Sequence, residues 1–272
     1  MRRAAATAAS AIPGCRMRFS VLGSGSKGNC VYIESGETAL LIDGGFSGKE
    51  IVRRLEGIGR DAGRLDAICV THEHNDHIAG VGVLSRRCRL PVHANAGTFA
   101  GGEAVFKDLW RRREFATGEE FTVKDLRIRS FRISHDTNDP VGYLVSSDRC
   151  TLGYCTDTGK TTQLMQQRLS GCNALILEFN HNLHLLKNGP YPPALQQRVR
   201  SPHGHLANED AAAFLGEILH DGLQVVVLAH LSEVNNNPQL AMAAAMAALP
   251  PGQAPELTIA RQDLATALMA IR

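Results

Sequence analysis

Short apolar runs, many of them ended by a glycine or a polar residue, recur along the chain and predict buried strands. They are too short for helices and contain many β-branched residues; they lie at 18–22, 30–33, 38–42, 67–70, 90–94, 121–123, 126–133, 142–146, 151–154, 174–179, 223–229 and 257–260. Segments with helical spacing predict helices at 48–58, from about 78 to 88, and at 97–109, 161–169, 208–220 and 238–249. The mixture predicts an α/β sandwich whose helices cover the outer faces of two sheets.

The length and composition are those of a globular domain. With 272 residues and 44% hydrophobic content, we expect one domain over residues 17–272 with a large buried core. Residues 1–16, an Ala-rich stretch behind Arg2 and Arg3, are expected to be a poorly ordered extension. No apolar run is long enough to span a membrane, so no membrane partner is expected.

Charge and cysteine content indicate which partners and which cellular compartment to expect. The net charge of +2 gives no global basic field, although arginine clusters at 86–89, 111–113, 127–132 and 198–200 are either phosphate contacts or solvated surface groups. The seven cysteines are scattered without a C-x-x-C pair. They are therefore expected to be reduced, in a cytoplasmic protein.

The densest set of candidate metal ligands follows the predicted strand 67–70, in the stretch THEHNDH. It places His72, His74, Asp76 and His77 in the pattern H-x-H-x-D-H. Neutral imidazole and carboxylate are the ligands of zinc, manganese and iron sites. In an ordinary surface loop, histidines packed this closely would repel one another on protonation and gain nothing. We therefore predict a metal site here.

A site for two metal ions needs more ligands than this loop provides. His135, Asp157 and His230 share one context, because each directly follows a predicted strand or its last polar residue. Strand ends that meet at one edge of a sandwich would bring these side chains to the loop.

Together these residues resemble the signature of the metallo-β-lactamase fold, an αββα sandwich. The resemblance implies two ligand sets that share Asp157, namely His72, His74 and His135, and Asp76, His77 and His230. It also implies that Asp43, at the end of the strand 38–42, is buried behind the metal loop and supports it.

Further stretches, among them GSGSKGN, LLIDGG, TDTG, LEFNHN, GHLANEDAA and LAHLSEVNNN, resemble the YycJ/WalJ group of bacterial metallo-hydrolases. This group is linked to DNA exonuclease activity and is related to tRNA 3′-end processing ribonucleases. In those relatives a glutamate pairs with a histidine, and the matching residues are Glu178 and His205. A carboxylate beside an imidazole favours its protonated form, which suits donation to a leaving 3′-oxygen. His181, Asn182 and His203 either face substrate or are ordinary loop residues.

The resemblance thus implies a metal-dependent phosphodiester hydrolase that acts on nucleic acid, with DNA preferred over RNA and 5′→3′ polarity. Two divalent ions are expected, zinc or manganese, with iron also compatible. A hydroxide shared by the ions would attack phosphorus, and Glu178-supported His205 would protonate the leaving group; Asp76 is counted with these two as catalytic.

Three alternatives stay open: a small-molecule phosphodiesterase, a thioester or lactone hydrolase, and a non-catalytic regulator on the same fold. The chain after His230 is too short for the helical domain of glyoxalase II-like enzymes. The segment between Asp157 and His230 is too short for the inserted domain of β-CASP nucleases. No expected ligand is missing, which disfavours the non-catalytic regulator.

Overall fold

Two facing sheets with helices on both outer sides form the protein. The computed structural model describes residues 17–147, 149–252 and 254–272, so the extension expected at residues 1–16 lies outside the described residues. Within the described part, each sheet has seven strands. The predicted αββα sandwich is confirmed.

The first sheet contains the strands of the N-terminal half and one from the C-terminus. They are β1 (Arg18–Gly23), β2 (Cys30–Glu34), β3 (Ala39–Ile42), β4 (Ala67–Cys69), β5 (Pro91–Ala94), β6 (Arg111–Glu114) and β14 (Met269–Ala270). Their order is β14-β1-β2-β3-β4-β5-β6. The pairs from β3 to β6 are parallel and the others are antiparallel.

The second sheet is built in the same way from the rest of the chain. Its strands are β7 (Glu120–Val123), β8 (Leu126–Arg132), β9 (Val141–Ser146), β10 (Thr151–Cys155), β11 (Ala174–Glu178), β12 (Val225–Ala229) and β13 (Glu256–Ile259). Their order is β13-β12-β11-β10-β9-β8-β7. Strands β10 to β13 are parallel, whereas β7 to β10 pair antiparallel.

Helices connect the strands. They are α1 (Gly48–Gly57), α2 (Asn75–Ile78), α3 (Val81–Cys88), α4 (Ala96–Phe106), α5 (Gln163–Leu169), α6 (Leu183–Asn188), α7 (Pro193–Val199), α8 (Asn208–Ile218) and α9 (Pro238–Ala247), with a short 3₁₀ helix at Ala62–Arg64. Polar residues cap several of them, as Asn237 does for α9 by accepting a hydrogen bond from the Leu240 amide at 2.9 Å. No helix in the described part of the chain is long and apolar enough to cross a membrane.

Period-two alternation divides the core into three apolar layers. On β2, Val31 and Ile33 face the core between the sheets, whereas Cys30 and Tyr32 pack under the helices of the first sheet. On β12, Val227 faces the core between the sheets and Val226 faces the helices of the second. Each central strand is therefore apolar on both faces, which explains the continuous apolar runs in the sequence.

Some elements differ from the predictions. β6 was not predicted because all four of its residues are exposed and polar. α6 and α7 were not predicted either; α7 has no buried residue and so gives no apolar period. The helix expected from about 78 to 88 follows a separate turn, α2, that begins inside the metal loop. Cys30, Cys69, Cys88, Cys155 and Cys172 are free, but Cys150 is disulfide-bonded, so the expectation of reduced cysteines is wrong there.

The carboxyl ends of β3, β4, β8, β10, β11 and β12 share one edge of the sandwich, and every candidate ligand follows one of them. Three of the site residues come directly after a strand and have a positive φ angle: 60° at Asp43, 59° at Asp157 and 55° at His230. Non-glycine residues rarely adopt this left-handed conformation, and it concentrates at functional sites. Here it turns three strand ends into one cluster.

Candidate metal centre

Asp43 supports the metal loop from below. It accepts hydrogen bonds from the Thr71 amide at 2.8 Å, the Thr71 hydroxyl at 2.9 Å and Nδ1 of His77 at 2.8 Å. The Thr71 oxygen in turn accepts from Nδ1 of His72 at 3.0 Å. Both histidines therefore keep their Nδ1 proton on an oxygen acceptor and present Nε2 as the ligand atom. Gly45 lets the chain pass closely, because a Cβ there would overlap the carbonyl oxygen of Asp76.

The second sheet supports its histidines in the same manner. Nδ1 of His230 donates to Glu178 Oε1 at 2.9 Å, and Nδ1 of His135 donates to the Gly204 carbonyl at 3.2 Å. Nε2 of each ring is again the atom left for a metal ion. His74 differs, since its Nδ1 lies 3.2 Å from Nε2 of His135 and is the atom turned towards that ring.

All seven predicted ligands come together, with Asp157 in the middle. The other six form two sets whose ligand atoms lie within 4.8 Å of one another: His72, His74 and His135, and Asp76, His77 and His230. Asp157 Oδ2 lies 3.4 Å from Nε2 of His77, and its Oδ1 lies 3.4 Å from Nε2 of His230 and 3.9 Å from that of His135. The carboxylate thus reaches both sets.

Unpaired buried atoms mark the centre of this cluster. Among the described residues that lack a hydrogen-bond partner for a buried side-chain atom are His72 and His230, at Nε2, and Asp157, at Oδ2. All three side chains belong to residues at most 3% exposed. A buried polar atom without a partner costs free energy, and these atom types are ligands of divalent cations. The residues present therefore fit bound divalent metal ions.

The electrostatics of the cluster separate its histidines into two kinds. Burial and the neighbouring His77 hold the pKa of His72 well below its ordinary value, so this ring is neutral and ready to coordinate. Burial also opposes protonation of His77 and His230, but carboxylates, Asp157 foremost, raise the pKa of His77 far above normal and that of His230 to about 10. Without metal, protons on these two rings balance the buried carboxylates, and a bound cation would replace them.

Glu178 has a second partner that lies beside the metal centre. Its Oε1 also accepts a hydrogen bond from Nδ1 of His205 at 2.8 Å, and its Oε2 accepts from the amides of Thr158 at 3.0 Å and Leu206 at 3.2 Å. Glu178 is fully buried, whereas the His205 side chain is 22% exposed. Burial raises the pKa of Glu178, but His205 and His230 lower it to about 2, so this carboxylate is ionised. The sequence-based pairing of Glu178 with His205 is present, and the link to His230 was not foreseen.

Two further polar residues at the centre were missed. Asn29, in the glycine-rich loop, donates from Nδ2 to Asp76 Oδ2 at 3.2 Å and lies 3.0 Å from Nε2 of His77. Oδ1 of Asp136 lies 3.6 Å from Nε2 of His74 and 3.5 Å from Nε2 of His135. Asn29 ends the stretch GSGSKGN and Asp136 directly follows His135, so their polar side chains at these positions were the available signal.

His181, Asn182 and His203 do not belong to the metal-binding groups found among the described residues. His181 is buried, at 1% exposure. Asn182 caps α6 by accepting from the Leu185 amide at 3.1 Å, and His203 is exposed next to His205. Contact of these residues with substrate stays a prediction.

Comparison with known proteins agrees with this geometry. Residues 38–230 match the family described as "Beta-lactamase superfamily domain". The chain is 37% identical to exodeoxyribonuclease YycJ of Bacillus anthracis over 227 residues, which cover 83% of this chain and 86% of that protein. It is 38% identical to exodeoxyribonuclease WalJ of Streptococcus pneumoniae over 228 residues, covering 82% and 85%.

A solved structure shows the same fold at lower sequence similarity. The metallo-β-lactamase-fold protein YhfI of Bacillus subtilis superposes with a TM-score of 0.73 at 19% identity, over 92% of this chain and 99% of that one. The match over more than half of the chain, the identity to full-length relatives and the metal-fitting centre lead to one assignment. The protein belongs to the metallo-β-lactamase superfamily, as a metal-dependent hydrolase of its YycJ/WalJ group.

Proposed function

We propose that this protein is an exodeoxyribonuclease that hydrolyses DNA with two bound divalent metal ions and 5′→3′ polarity. The observation that carries the proposal is the position of Glu178, which accepts hydrogen bonds from His205 at 2.8 Å and from His230 at 2.9 Å. One buried carboxylate thereby joins a proton donor to a metal ligand. The names of the YycJ and WalJ relatives, both exodeoxyribonucleases, support DNA as the substrate.

Two ligand sets that share Asp157 would hold the ions: His72, His74 and His135, and Asp76, His77 and His230. Zinc or manganese fits this imidazole and carboxylate set, with iron also compatible. When bound, such ions supply an activated water molecule and neutralise charge on the phosphate. A cytoplasmic location, in contact with chromosomal DNA, is part of the proposal.

The protein's own side chains then hold and transfer the protons. With Nδ1 of His205 held on Glu178, Nε2 is the atom that donates a proton to the leaving 3′-oxygen. Glu178 stays ionised and so holds the Nδ1–H of His205 without taking its proton. Asp76, whose side chain is 22% exposed and is held by Asn29, orients the attacking water.

The test offers four substrates to the zinc- or manganese-loaded protein: 5′-labelled duplex DNA, 5′-labelled single-stranded DNA, RNA and bis(4-nitrophenyl) phosphate. We expect a labelled mononucleotide as the first product from DNA, and no turnover by Asp157→Ala. Asp221→Asn, which changes an exposed aspartate in the loop before β12, at the opposite edge of the sheet, is the matched control. Hydrolysis of the small ester alone, or of RNA without hydrolysis of DNA, would contradict the proposal.

A further inference from the structure

A small pocket adjoins the metal centre on the side of His205. Its volume is about 150 Å³, and its lining includes His135, Asp136, Tyr191, Leu195, Arg198 and His205. Tyr191 begins the turn before α7, and Leu195 and Arg198 lie on α7. The pocket thus joins a predicted metal ligand and the predicted proton donor to a helix that the catalytic scheme above does not use.

Arg198 forms a fixed cation at this pocket. Its Nε and one terminal nitrogen donate to Asp136 Oδ2 at 2.8 and 2.7 Å. The arginine side chain is nevertheless 62% exposed. A guanidinium carries five N–H donors, so donors remain for an anion after Asp136 has taken two.

Tyr191 and Leu195 give the pocket an aromatic and an aliphatic surface, and both are half-buried. Nucleobases stack on aromatic side chains in proteins that bind single strands. The pocket is smaller than the roughly 300–1,000 Å³ of ordinary small-molecule sites. It has room for part of one nucleotide.

Resting on the proposed function, we propose that this pocket, together with the exposed part of the Arg198 side chain, receives the 5′-terminal nucleotide of DNA, the one that leaves. Its base would lie against Tyr191 and its 5′-phosphate against Arg198. The bond between the 3′-oxygen of this nucleotide and the phosphorus of the next one breaks as the oxygen of water bonds to that phosphorus. His205 gives a proton to the 3′-oxygen. The product is a deoxynucleoside 5′-monophosphate, and the remaining strand keeps a new 5′-phosphate. A pocket for one leaving nucleotide accounts for 5′→3′ polarity.

The first experiment measures binding to the metal-loaded protein by calorimetry, with deoxyadenosine 5′-monophosphate, deoxyadenosine and inorganic phosphate as probes. We expect Tyr191→Ala to weaken binding of the monophosphate about tenfold through lost stacking. Arg198→Ala should weaken it roughly fivefold while leaving deoxyadenosine unaffected. Arg53→Ala is the matched control, since Arg53 is 65% exposed and paired with Glu50 on α1. Phosphate, which the metal centre would bind by itself, should bind equally well to wild type and Tyr191→Ala.

The second experiment compares KM and kcat on single-stranded DNA and on bis(4-nitrophenyl) phosphate. In Tyr191→Ala, KM for DNA should rise about tenfold, well beyond any change on the small ester. DNA cleavage by the wild type, with unaltered monophosphate binding in both variants, would overturn the pocket and leave the exonuclease. Equal losses on DNA, the ester and phosphate would also overturn it, because they indicate damage to the metal centre. No DNA cleavage, with monophosphate binding that depends on Tyr191, would refute the exonuclease and support a nucleotide pocket.

Discussion

Asp43 and Glu178 are equivalent in position but not in what they support. Each is fully buried at the carboxyl end of a parallel strand, Asp43 after β3 and Glu178 at the end of β11. Each accepts a hydrogen bond from Nδ1 of a histidine whose Nε2 faces the metal-binding cluster, His77 at 2.8 Å and His230 at 2.9 Å. Asp43 otherwise accepts hydrogen bonds from Thr71 and, at 3.5 Å, from the Tyr154 hydroxyl, whereas Glu178 also holds His205.

This difference explains the opposite behaviour of the two carboxyl groups. Burial raises the pKa of Asp43, and His77 and Thr71 only partly oppose it. At Glu178 burial acts in the same direction, but two histidines outweigh it and lower the pKa to about 2. Burial alone therefore does not decide the charge of a carboxyl group, since the two histidine partners of Glu178 outweigh it and the single histidine partner of Asp43 does not. In the proposed mechanism the ionised Glu178 therefore serves both proton transfer and metal binding, and Asp43 serves metal binding alone.

The strongest test of this comparison is Glu178→Gln. The substitution weakens the hydrogen bonds to both His205 and His230. General acid catalysis contributes about 10²–10⁴-fold to the rate, and a partner behind a metal ligand contributes about 10–100-fold to metal affinity. We expect kcat/KM on DNA to fall by roughly 10³-fold or more, with only part of the loss recovered by excess metal. Glu34→Gln is the control, because Glu34 is also buried and ion-paired but lies at the far end of β2. Full recovery by metal would mean that His205 gains nothing from Glu178.

His205→Ala separates the two roles of Glu178. It should lower kcat about 10²–10⁴-fold and leave metal affinity within twofold of wild type, because His230 keeps its own hydrogen bond to Glu178. His220→Ala, at the opposite edge of the second sheet, is the control. Loss of bound metal from His205→Ala would show that this histidine is a ligand and not the proton donor.

The sequence was sufficient to identify the candidate ligands and Asp43, and insufficient to predict that Glu178 also holds His230. His72 to His77 form a contiguous pattern, and His135, Asp157 and His230 were identified because each follows an apolar run. The link between Glu178 and His230 depends on strand order, since β11 pairs with β12 in a register that places Glu178 beside Ala229. A single sequence without pairing information does not contain that neighbour relation.

The missed elements have a common physical reason, which is that their burial pattern is weak. β6 is an exposed edge strand of three arginines and a glutamate, formed by parallel pairing with β5. α7 buries none of its residues and yet provides Arg198 to the pocket beside His205. Apolar periodicity detects elements that build the core, so it overlooks elements whose residues remain at the surface for binding.

Asp43→Asn should have a smaller effect than Glu178→Gln. Asparagine cannot accept from His77 and both Thr71 donors as the carboxylate does, so metal affinity should fall about 10–100-fold. Excess metal should restore kcat nearly to the wild-type value, since His205 is untouched. Metal titrations followed by activity at saturating metal measure both quantities. A kcat that stays low at saturation would show that Asp43 acts on more than metal binding.

Proton release on metal binding gives the finest distinction between the two carboxylates. The pKa of His77 lies well above normal and that of His230 is about 10, so both rings are protonated on both nitrogens at pH 7 in the metal-free protein. A cation must displace these protons, so apparent affinity should rise with pH between about 6 and 8, by up to roughly 100-fold per unit for two protons. The pKa of His72 is lowered, so that ring should release none.

Calorimetry in buffers of different ionisation enthalpy counts the protons: we expect two from His77 and His230 in the wild type and fewer in both Asp43→Asn and Glu178→Gln. An unchanged count in either variant would mean that Asp157 and Asp76 suffice to keep the corresponding histidine protonated.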